Sequence, residues 1–298
     1  MAALSYYLLL PLLYFFSILP MKVLYFVSDY LIYPLLYKVI GYRKKVVAEN
    51  LKNSFPEKTE AERLKIEVDF YHHISDLFVE IIKGFTISKK ELSKRVLTDK
   101  DLVLVDLFNA GKNVILTVGH YGNYEWGCSA IPTATNHAVF VPYRKFTNPY
   151  FDKLFTRSRE KLGVTLFHTT KTRKVLESLP ETPYMLGLAN DQAAPPKKSY
   201  WVKFLNQDTS FFNGTEKIAK QKNIPVYFGR MIKHSRGFYQ MDYELITMTP
   251  QEEPEGFIMQ RHAEMLEKDI KSRPEMWLWT HRRWKHKMPE DYKYGFND

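Results

Sequence analysis

The 298-residue chain suits one large domain or two small ones and is long enough to bury a sizeable core. Hydrophobic residues make up 45% and charged residues 26%, which excludes a disordered chain, and the formal net charge of +10 favours anionic partners. Cys128 is the only cysteine in the sequence, so an internal disulfide and a cysteine-rich zinc site are excluded.

The chain begins with an uncharged apolar stretch, MAALSYYLLLPLLYFFSILP, at residues 1–20. About 20 apolar residues are enough to cross a hydrocarbon core as a helix. A basic n-region and a small-residue cleavage site, the marks of a cleaved signal peptide, are both missing. A second apolar segment contains Asp29, Pro34 and Lys38, and we expect it at the membrane interface or packed against the main body. The basic cluster at 43–45 then predicts a cytoplasmic main body, and the alternative is a buried hairpin of core helices.

The rest of the chain alternates between helical and strand-like patterns. Residues 59–85 repeat apolar side chains at helical spacing, which predicts an amphipathic helix. The pattern favours an α/β domain with a mixed, largely parallel central sheet flanked by helices. We therefore divide the chain into a membrane-associated helical segment, 1–45, and one catalytic domain, 46–298. The predicted strands are 113–119, 138–144, 184–191, 224–232 and 237–246, and the later predicted helices are 148–163, 213–223 and 256–272.

The stretch TVGHYGNYEW places a histidine at the end of a predicted buried strand. His120 and Glu125 are five residues apart, so they can meet only across a turn, which Gly119 and Gly122 permit. Asn123 could cap a helix with Glu125 in its first turn. The Glu125 carboxylate could then accept a proton from one imidazole nitrogen and raise the basicity of the other. The alternative is a structural histidine beside a glutamate that starts a helix.

Cationic residues follow this motif in VPYRKFTNPYFDKLFTRSREKLG. Arg144 ends the next predicted strand, and Arg157 and Arg159 lie on the following helix, which Asn148 caps. Arginine forks suit phosphate or carboxylate groups, although a solvated helix face explains Arg159 better. Asp191, in NDQ at the end of a later strand, is a structural or acceptor-positioning carboxylate.

Other candidate groups are weaker. Cys128 could be an acylated nucleophile, but a buried packing role is the simpler explanation for a free cysteine. Ser129 lacks the G-x-S-x-G context of a nucleophile elbow. The stretch WTHRRWKHK could grip RNA, but no nucleic-acid-binding fold accompanies it, and a membrane-facing or carrier-facing basic end is the better interpretation.

Several stretches in order resemble the bacterial lipid A late acyltransferases, within the lysophospholipid acyltransferase superfamily: NLKNSFPE, GHYGNYEW, YRKFTNPYFDKLFTRSREKLG, NDQ, GTEKIAKQKNIPVYFGR and PEMWLWTHRRWK. The resemblance runs from about Asn50 to Lys285. It implies a glycerolipid acyltransferase-like fold behind a membrane-bound amino-terminal helix. The family's H-x4-D/E pair matches His120 and Glu125. The substrate-binding candidates are Arg144, Arg157, Asn148 and Asp191.

The implied reaction is transfer of a fatty acyl chain from a thioester, on acyl carrier protein, to a hydroxyl of a lipid A precursor. His120 would deprotonate the hydroxyl, and no cofactor or metal would be needed. The implied partners are acyl carrier protein, an anionic glycolipid or lysolipid acceptor and the membrane, without nucleic acid. The implied location is the cytoplasmic face of the bacterial inner membrane. A lysophospholipid or amino-lipid acceptor is an alternative, and so is a non-catalytic membrane-binding protein on the same scaffold.

Overall fold

The computed structural model describes residues 2–98, 102–196, 199–290 and 292. Residues 291 and 293–298, at the end of the predicted catalytic domain, lie outside the described residues. The α-helices are α1 (Ala2–Ile18), α2 (Met21–Val27), α3 (Lys44–Ser54), α4 (Glu60–Lys83), α5 (Lys89–Arg95), α6 (Val103–Asn109), α7 (Tyr124–Ala134), α8 (Pro149–Glu160), α9 (Thr172–Glu177), α10 (Gly214–Lys222) and α11 (Phe257–Ser272). Two π-helical stretches, Ser28–Ile32 and Pro34–Val39, follow α2.

The described strands form a seven-stranded sheet in the order β1-β9-β8-β2-β5-β3-β4 and a separate hairpin of β6 and β7. All neighbours in the large sheet are parallel except β8 and β9, so the predicted α/β fold with a largely parallel mixed sheet is confirmed. The strands are β1 (Val96–Leu97), β2 (Val114–Val118), β3 (Ala138–Tyr143), β4 (Val164–His168), β5 (Tyr184–Ala189), β6 (Ser199–Phe204), β7 (Gln207–Phe212), β8 (Val226–Ser235) and β9 (Phe238–Thr247).

Strand β2 lies between β8 and β5, and it is covered on both faces. Ile115 packs into a core with α3, α4 and α11, whereas Val114 and Leu116 pack into a second core with α5, α6 and α7. This alternation follows from the two-residue period of a strand. A strand buried on both faces is apolar throughout, which is why residues 113–119 could be recognised from the sequence.

Local signals account for most of the predicted helices. Helix α4 begins at a capping box in which Thr59 and Glu62 bond each other's backbone, and α8 begins where the Asn148 side chain accepts the amide of Tyr150 at 3.0 Å. The sequence analysis did not predict the β6–β7 hairpin. Its turn residues Leu205 and Asn206 both have positive φ, without the glycine that usually marks such a turn.

The amino-terminal segment packs against the body through α1 and α2. Helix α1 has 17 residues, about 25 Å at 1.5 Å per residue, against roughly 30 Å for a hydrocarbon core. Within the described part of the chain, no single helix is long and apolar enough to cross a membrane, whereas the bent pair Met21–Val39 and Lys44–Ser54, at 82°, has sufficient length and composition. The division of the chain at residue 45 stays a prediction.

Candidate active site

The turn after β2 depends on two glycines for different reasons. Gly122 has φ +63°, and an added Cβ would lie 2.7 Å from Met231 Cγ. Gly119 needs no unusual φ, but an added Cβ would lie 2.6 Å from Leu266 Cδ1, so the backbone passes close to α11. The turn delivers His120 to the carboxyl edge of the sheet, and Asn123 starts α7 by accepting the amide of Trp126 at 2.8 Å. The predicted strand, turn and capped helix are confirmed here.

The imidazole of His120 bonds Asp191. His120 Nδ1 lies 2.6 Å from Asp191 Oδ1, and the His120 backbone amide donates to Asp191 Oδ2 at 2.8 Å. The indole nitrogen of Trp277 donates to the same oxygen at 2.9 Å. Asp191 is 3% exposed, so three donors surround a carboxylate that water hardly reaches. An ionised carboxylate can only accept, which places the proton on Nδ1 and leaves a lone pair on Nε2.

Strand register brings Asp191 to His120. Val118 of β2 pairs with Ala189 of the parallel strand β5, so the residues two positions beyond each strand lie side by side. Between them, Asn190 donates its side-chain amide to Thr117 Oγ1 at 2.6 Å and fixes the end of β5 against β2. The sequence predicted both strands and showed that each is followed by polar residues. It did not show that the two strands are neighbours in the sheet, which is why the contact between His120 and Asp191 was missed.

The charges around His120 favour its protonated form. Burial opposes a charge on the imidazole, but the Asp191 carboxylate, its hydrogen bond and the Glu125 carboxylate outweigh burial and raise the pKa of His120. Arg159 acts in the opposite direction. Burial would raise the pKa of Asp191, but the charge and hydrogen bonds of His120, together with the Trp277 hydrogen bond, hold it well below its usual range. The pair therefore contains an ionised Asp191 and a histidine more basic than usual.

Glu125 has a different partner from the one expected. Its carboxylate accepts two hydrogen bonds from Arg159, from Nε at 2.8 Å and from Nη2 at 2.7 Å. Asp191 takes the place beside the His120 ring that the sequence analysis gave to Glu125. Arg159 side-chain atoms are 16% exposed, so the solvated helix face expected for Arg159 is also wrong. Spacing along the chain could not reveal either pairing, because Arg159 reaches α7 from α8 and Asp191 comes from another strand.

The other predicted substrate residues make no direct contact with His120. Arg144 follows β3 and Arg157 lies on α8, and both are exposed. Asn148 caps α8, as the sequence predicted. Cys128 lies on α7, one turn after Glu125, and burial raises the pKa of its thiol to about 12. A thiol so weakly acidic does not fit an acylated nucleophile at neutral pH.

This edge of the sheet therefore carries a buried carboxylate, a histidine whose Nε2 faces the Gln192 side-chain amide, and a bidentate Glu125–Arg159 pair. A family model for bacterial lipid A biosynthesis acyltransferases matches residues 1–286. The chain belongs to that family. No curated protein matches the chain. Family membership supports an acyltransferase acting on lipid A and suggests association with the inner membrane.

In this lipid A acyltransferase family member, an apolar cleft opens beside His120. Helix α4, the turn after β2 and residues 276–278 line this cleft. The empty space in it, including the open mouth, amounts to about 180 Å³. The packed side chains leave no room in the cleft for a water-sized molecule, so it holds no acyl chain in this conformation. The lining residues besides His120 include Phe70, His73, Ile74, Leu77, Met276 and Leu278. Among the described residues, no group of three or more His, Cys, Asp or Glu side chains is placed to hold a metal ion.

Proposed function

We propose that the protein transfers a fatty acyl chain from the thioester of acyl carrier protein to a hydroxyl of a lipid A precursor, with His120 as general base. The observation that carries this proposal is the 2.6 Å contact between His120 Nδ1 and Asp191 Oδ1. This contact leaves Nε2 as the basic nitrogen and supplies a negative charge that stabilises the imidazolium after proton transfer. Family membership supports the acceptor class.

In the proposed reaction, His120 Nε2 removes the proton from the acceptor hydroxyl as its oxygen bonds the thioester carbonyl carbon. The tetrahedral intermediate then collapses, the carbon–sulfur bond breaks, and the leaving thiolate takes the proton from His120. The products are an ester and a free thiol, so neither an oxidant nor a metal is required. The Gln192 side-chain amide donates to His120 Nε2 at 3.3 Å, and the acceptor hydroxyl replaces this donor in the proposed reaction.

The two substrates would approach His120 from different sides. The apolar cleft would take the reacting end of the acyl chain once its side chains move apart, because its lining is mostly hydrocarbon. Arg144 and Arg157 suit an acceptor phosphate, and Asn148 lies between them in the chain. Asp191 acts through His120 in this proposal and not by direct contact with the acceptor. Glu125 contributes negative charge beside the imidazolium, and Arg159 balances that charge in the resting site.

The oxyanion of the intermediate needs a donor near the turn. The amide of His120 is bonded to Asp191, and the amide of Gly122 donates to the Met276 carbonyl at 2.9 Å. These two groups are occupied, so the proposed donor is another amide of the turn or an incoming cationic side chain.

The amino-terminal segment supports a membrane-bound location for the reaction. Its outward side chains form an apolar surface, and the basic cluster at 43–45 lies at its end. We infer that this surface holds the protein at the cytoplasmic face of the inner membrane, where a lipid acceptor is available. The exposed apolar residues of α1 are Leu4, Tyr7, Leu8, Leu9, Leu12, Tyr14, Phe15 and Ile18.

The test is transfer of a labelled fatty acid from acyl carrier protein by the full-length protein in anionic lipid vesicles. Parallel reactions contain a lipid A precursor, a lysophospholipid or an amino-lipid, and each is repeated with acyl coenzyme A as donor. We expect label in the lipid A precursor and one free carrier thiol per ester formed. Label in the lysophospholipid or amino-lipid alone would show a wrong acceptor. Vesicle binding without transfer to any acceptor would favour the non-catalytic alternative.

A further inference from the structure

Glu80 is a fully buried carboxylate that the proposed reaction does not use. It lies near the end of α4 and accepts three hydrogen bonds from three separate parts of the chain. The Tyr25 hydroxyl of α2 donates to Oε1 at 2.6 Å, and the Tyr239 hydroxyl of β9 donates to Oε2 at 2.8 Å. The third donor is the side-chain amide of Asn123, at 2.7 Å from Oε2. The buried carboxylate therefore links α4 to α2, to β9 and to the residue that caps α7.

One of these bonds reaches the turn that carries His120. Asn123 caps α7 with its side-chain oxygen and uses its side-chain nitrogen to bond Glu80. The indole nitrogen of Trp126 also donates to the Glu80 backbone carbonyl, at 3.0 Å. Glu80 therefore makes two hydrogen bonds to the start of α7, at Asn123 and Trp126. These two residues lie on either side of Glu125 in the chain. Loss of these bonds would let the cap, and the turn before it, move.

Another bond reaches the amino-terminal segment. Tyr25 belongs to the apolar segment, and its ring lies under the Arg236 guanidinium at 4.4 Å. Arg236 also bonds Asp29 at 2.7 and 2.8 Å and Asp76 of α4 at 2.9 Å. An added Cβ at Gly237 would collide with the Tyr25 hydroxyl, so the β8–β9 turn closes directly over it. These contacts fix Tyr25 against Glu80 only while the amino-terminal segment is docked.

We propose that Glu80 is a positioning residue that holds the catalytic turn through Asn123, and that Tyr25 makes this hold depend on docking of the amino-terminal segment. The catalytic part rests on the proposed function. Removal of the Tyr25 hydroxyl leaves a buried carboxylate with one donor fewer, which favours the protonated form of Glu80, a weaker acceptor for Asn123. Burial raises the pKa of Glu80 to about 7, and the Tyr25 and Tyr239 hydrogen bonds act against that rise. The donors therefore oppose protonation of Glu80 and favour the ionised form that accepts from Asn123.

The test compares Asn123→Asp with the double variant Asn123→Asp/Glu80→Gln. The single change keeps the helix cap but places a carboxylate opposite the Glu80 carboxylate, whereas the double change restores a donor–acceptor pair. We expect the single variant to lower kcat about tenfold with little change in either KM, and the double variant to recover most of that loss. An unchanged kcat in the single variant, or a double variant that recovers nothing, would overturn the proposal.

The role of the amino-terminal segment is tested with a matched pair of tyrosine variants. Tyr25→Phe removes the hydroxyl on Glu80, and Tyr30→Phe removes one from a residue of the same segment that is 71% exposed. We expect faster amide hydrogen exchange over residues 119–127 in Tyr25→Phe and Asn123→Asp, and wild-type exchange in Tyr30→Phe. Equal exchange in Tyr25→Phe and wild type would overturn the link to the segment. This readout needs no acyl transfer, so it stays informative if the proposed reaction is wrong.

Discussion

The two carboxylates near His120 have different environments. Asp191 is 3% exposed and accepts from the imidazole, a backbone amide and an indole, so every donor comes from the rigid sheet edge or the segment beside it. Glu125 has a side chain that is 21% exposed and accepts two hydrogen bonds from Arg159. The comparison indicates that Asp191 fixes the orientation and tautomer of the ring, whereas Glu125 adjusts the charge around it. Asp191 is therefore the internal carboxylate of the site, and Glu125 is the outer one.

Replacement of the internal carboxylate has the largest expected effect in this comparison. Asp191→Asn removes the acceptor that fixes the proton on Nδ1, so we expect kcat/KM for acyl transfer to fall by about two to four decades. The pKa of His120 should fall with it, because Asp191 is its main source of stabilising charge. A base must be unprotonated, so the acid limb of the residual pH–rate profile should move to lower pH. A folded Asp191→Asn variant with wild-type rate and limb would contradict the assignment.

Replacement of the outer carboxylate should cost less. Glu125→Gln leaves the Arg159 guanidinium unpaired beside the imidazole, which lowers the pKa of His120, and we expect a loss of about one to two decades in kcat/KM. Adding Arg159→Met removes the unpaired charge and should recover part of the loss. A double variant as slow as the single one would show that Glu125 acts on substrate directly. A larger loss in Glu125→Gln than in Asp191→Asn would show that Glu125, and not Asp191, is the more important carboxylate.

The exposed arginines carry the proposed acceptor contacts. Arg144→Ala should raise the KM for the lipid acceptor and reduce kcat/KM by about one to two decades, while the KM for the acyl donor stays the same. Arg144→Lys should restore little if the contact is bidentate. Lys153→Ala, at an exposed position on α8, is the matched control for loss of one positive charge. Equal acceptor kinetics in the Arg144 and Lys153 variants would remove Arg144 from the site.

The smallest effect is expected one helical turn beyond Glu125. Cys128→Ala should retain most of the activity, because burial raises the pKa of that thiol to about 12 and no acyl-cysteine is required. Mass spectrometry of the protein quenched during turnover should find no acyl group on Cys128. A trapped thioester, or a hundredfold loss in the alanine variant, would replace the general-base mechanism with a covalent one.

The sequence allowed accurate prediction of elements whose signals are local. The apolar run of β2, the glycines of the turn, and the caps at Asn123 and Asn148 all depend on neighbours within a few residues. The side-chain partners of the site could not be predicted in the same way. Asp191 reaches His120 because β5 is the parallel neighbour of β2. The sequence of neither strand indicates which strand lies beside it. The pattern around Arg159 is typical of an exposed helix face, but Arg159 of α8 is bonded to Glu125 of α7 and is mostly buried.

The central claim is that His120 is the general base, and the most direct measurement is acyl transfer by a folded His120→Ala variant. The assay follows labelled fatty acid from acyl carrier protein to the lipid acceptor, with circular dichroism to confirm the fold. We expect a loss of about two to four decades in the rate at saturating substrates, because no other described group takes the hydroxyl proton in the proposed mechanism. A folded His120→Ala variant that transfers the acyl chain at a near-normal rate would contradict it.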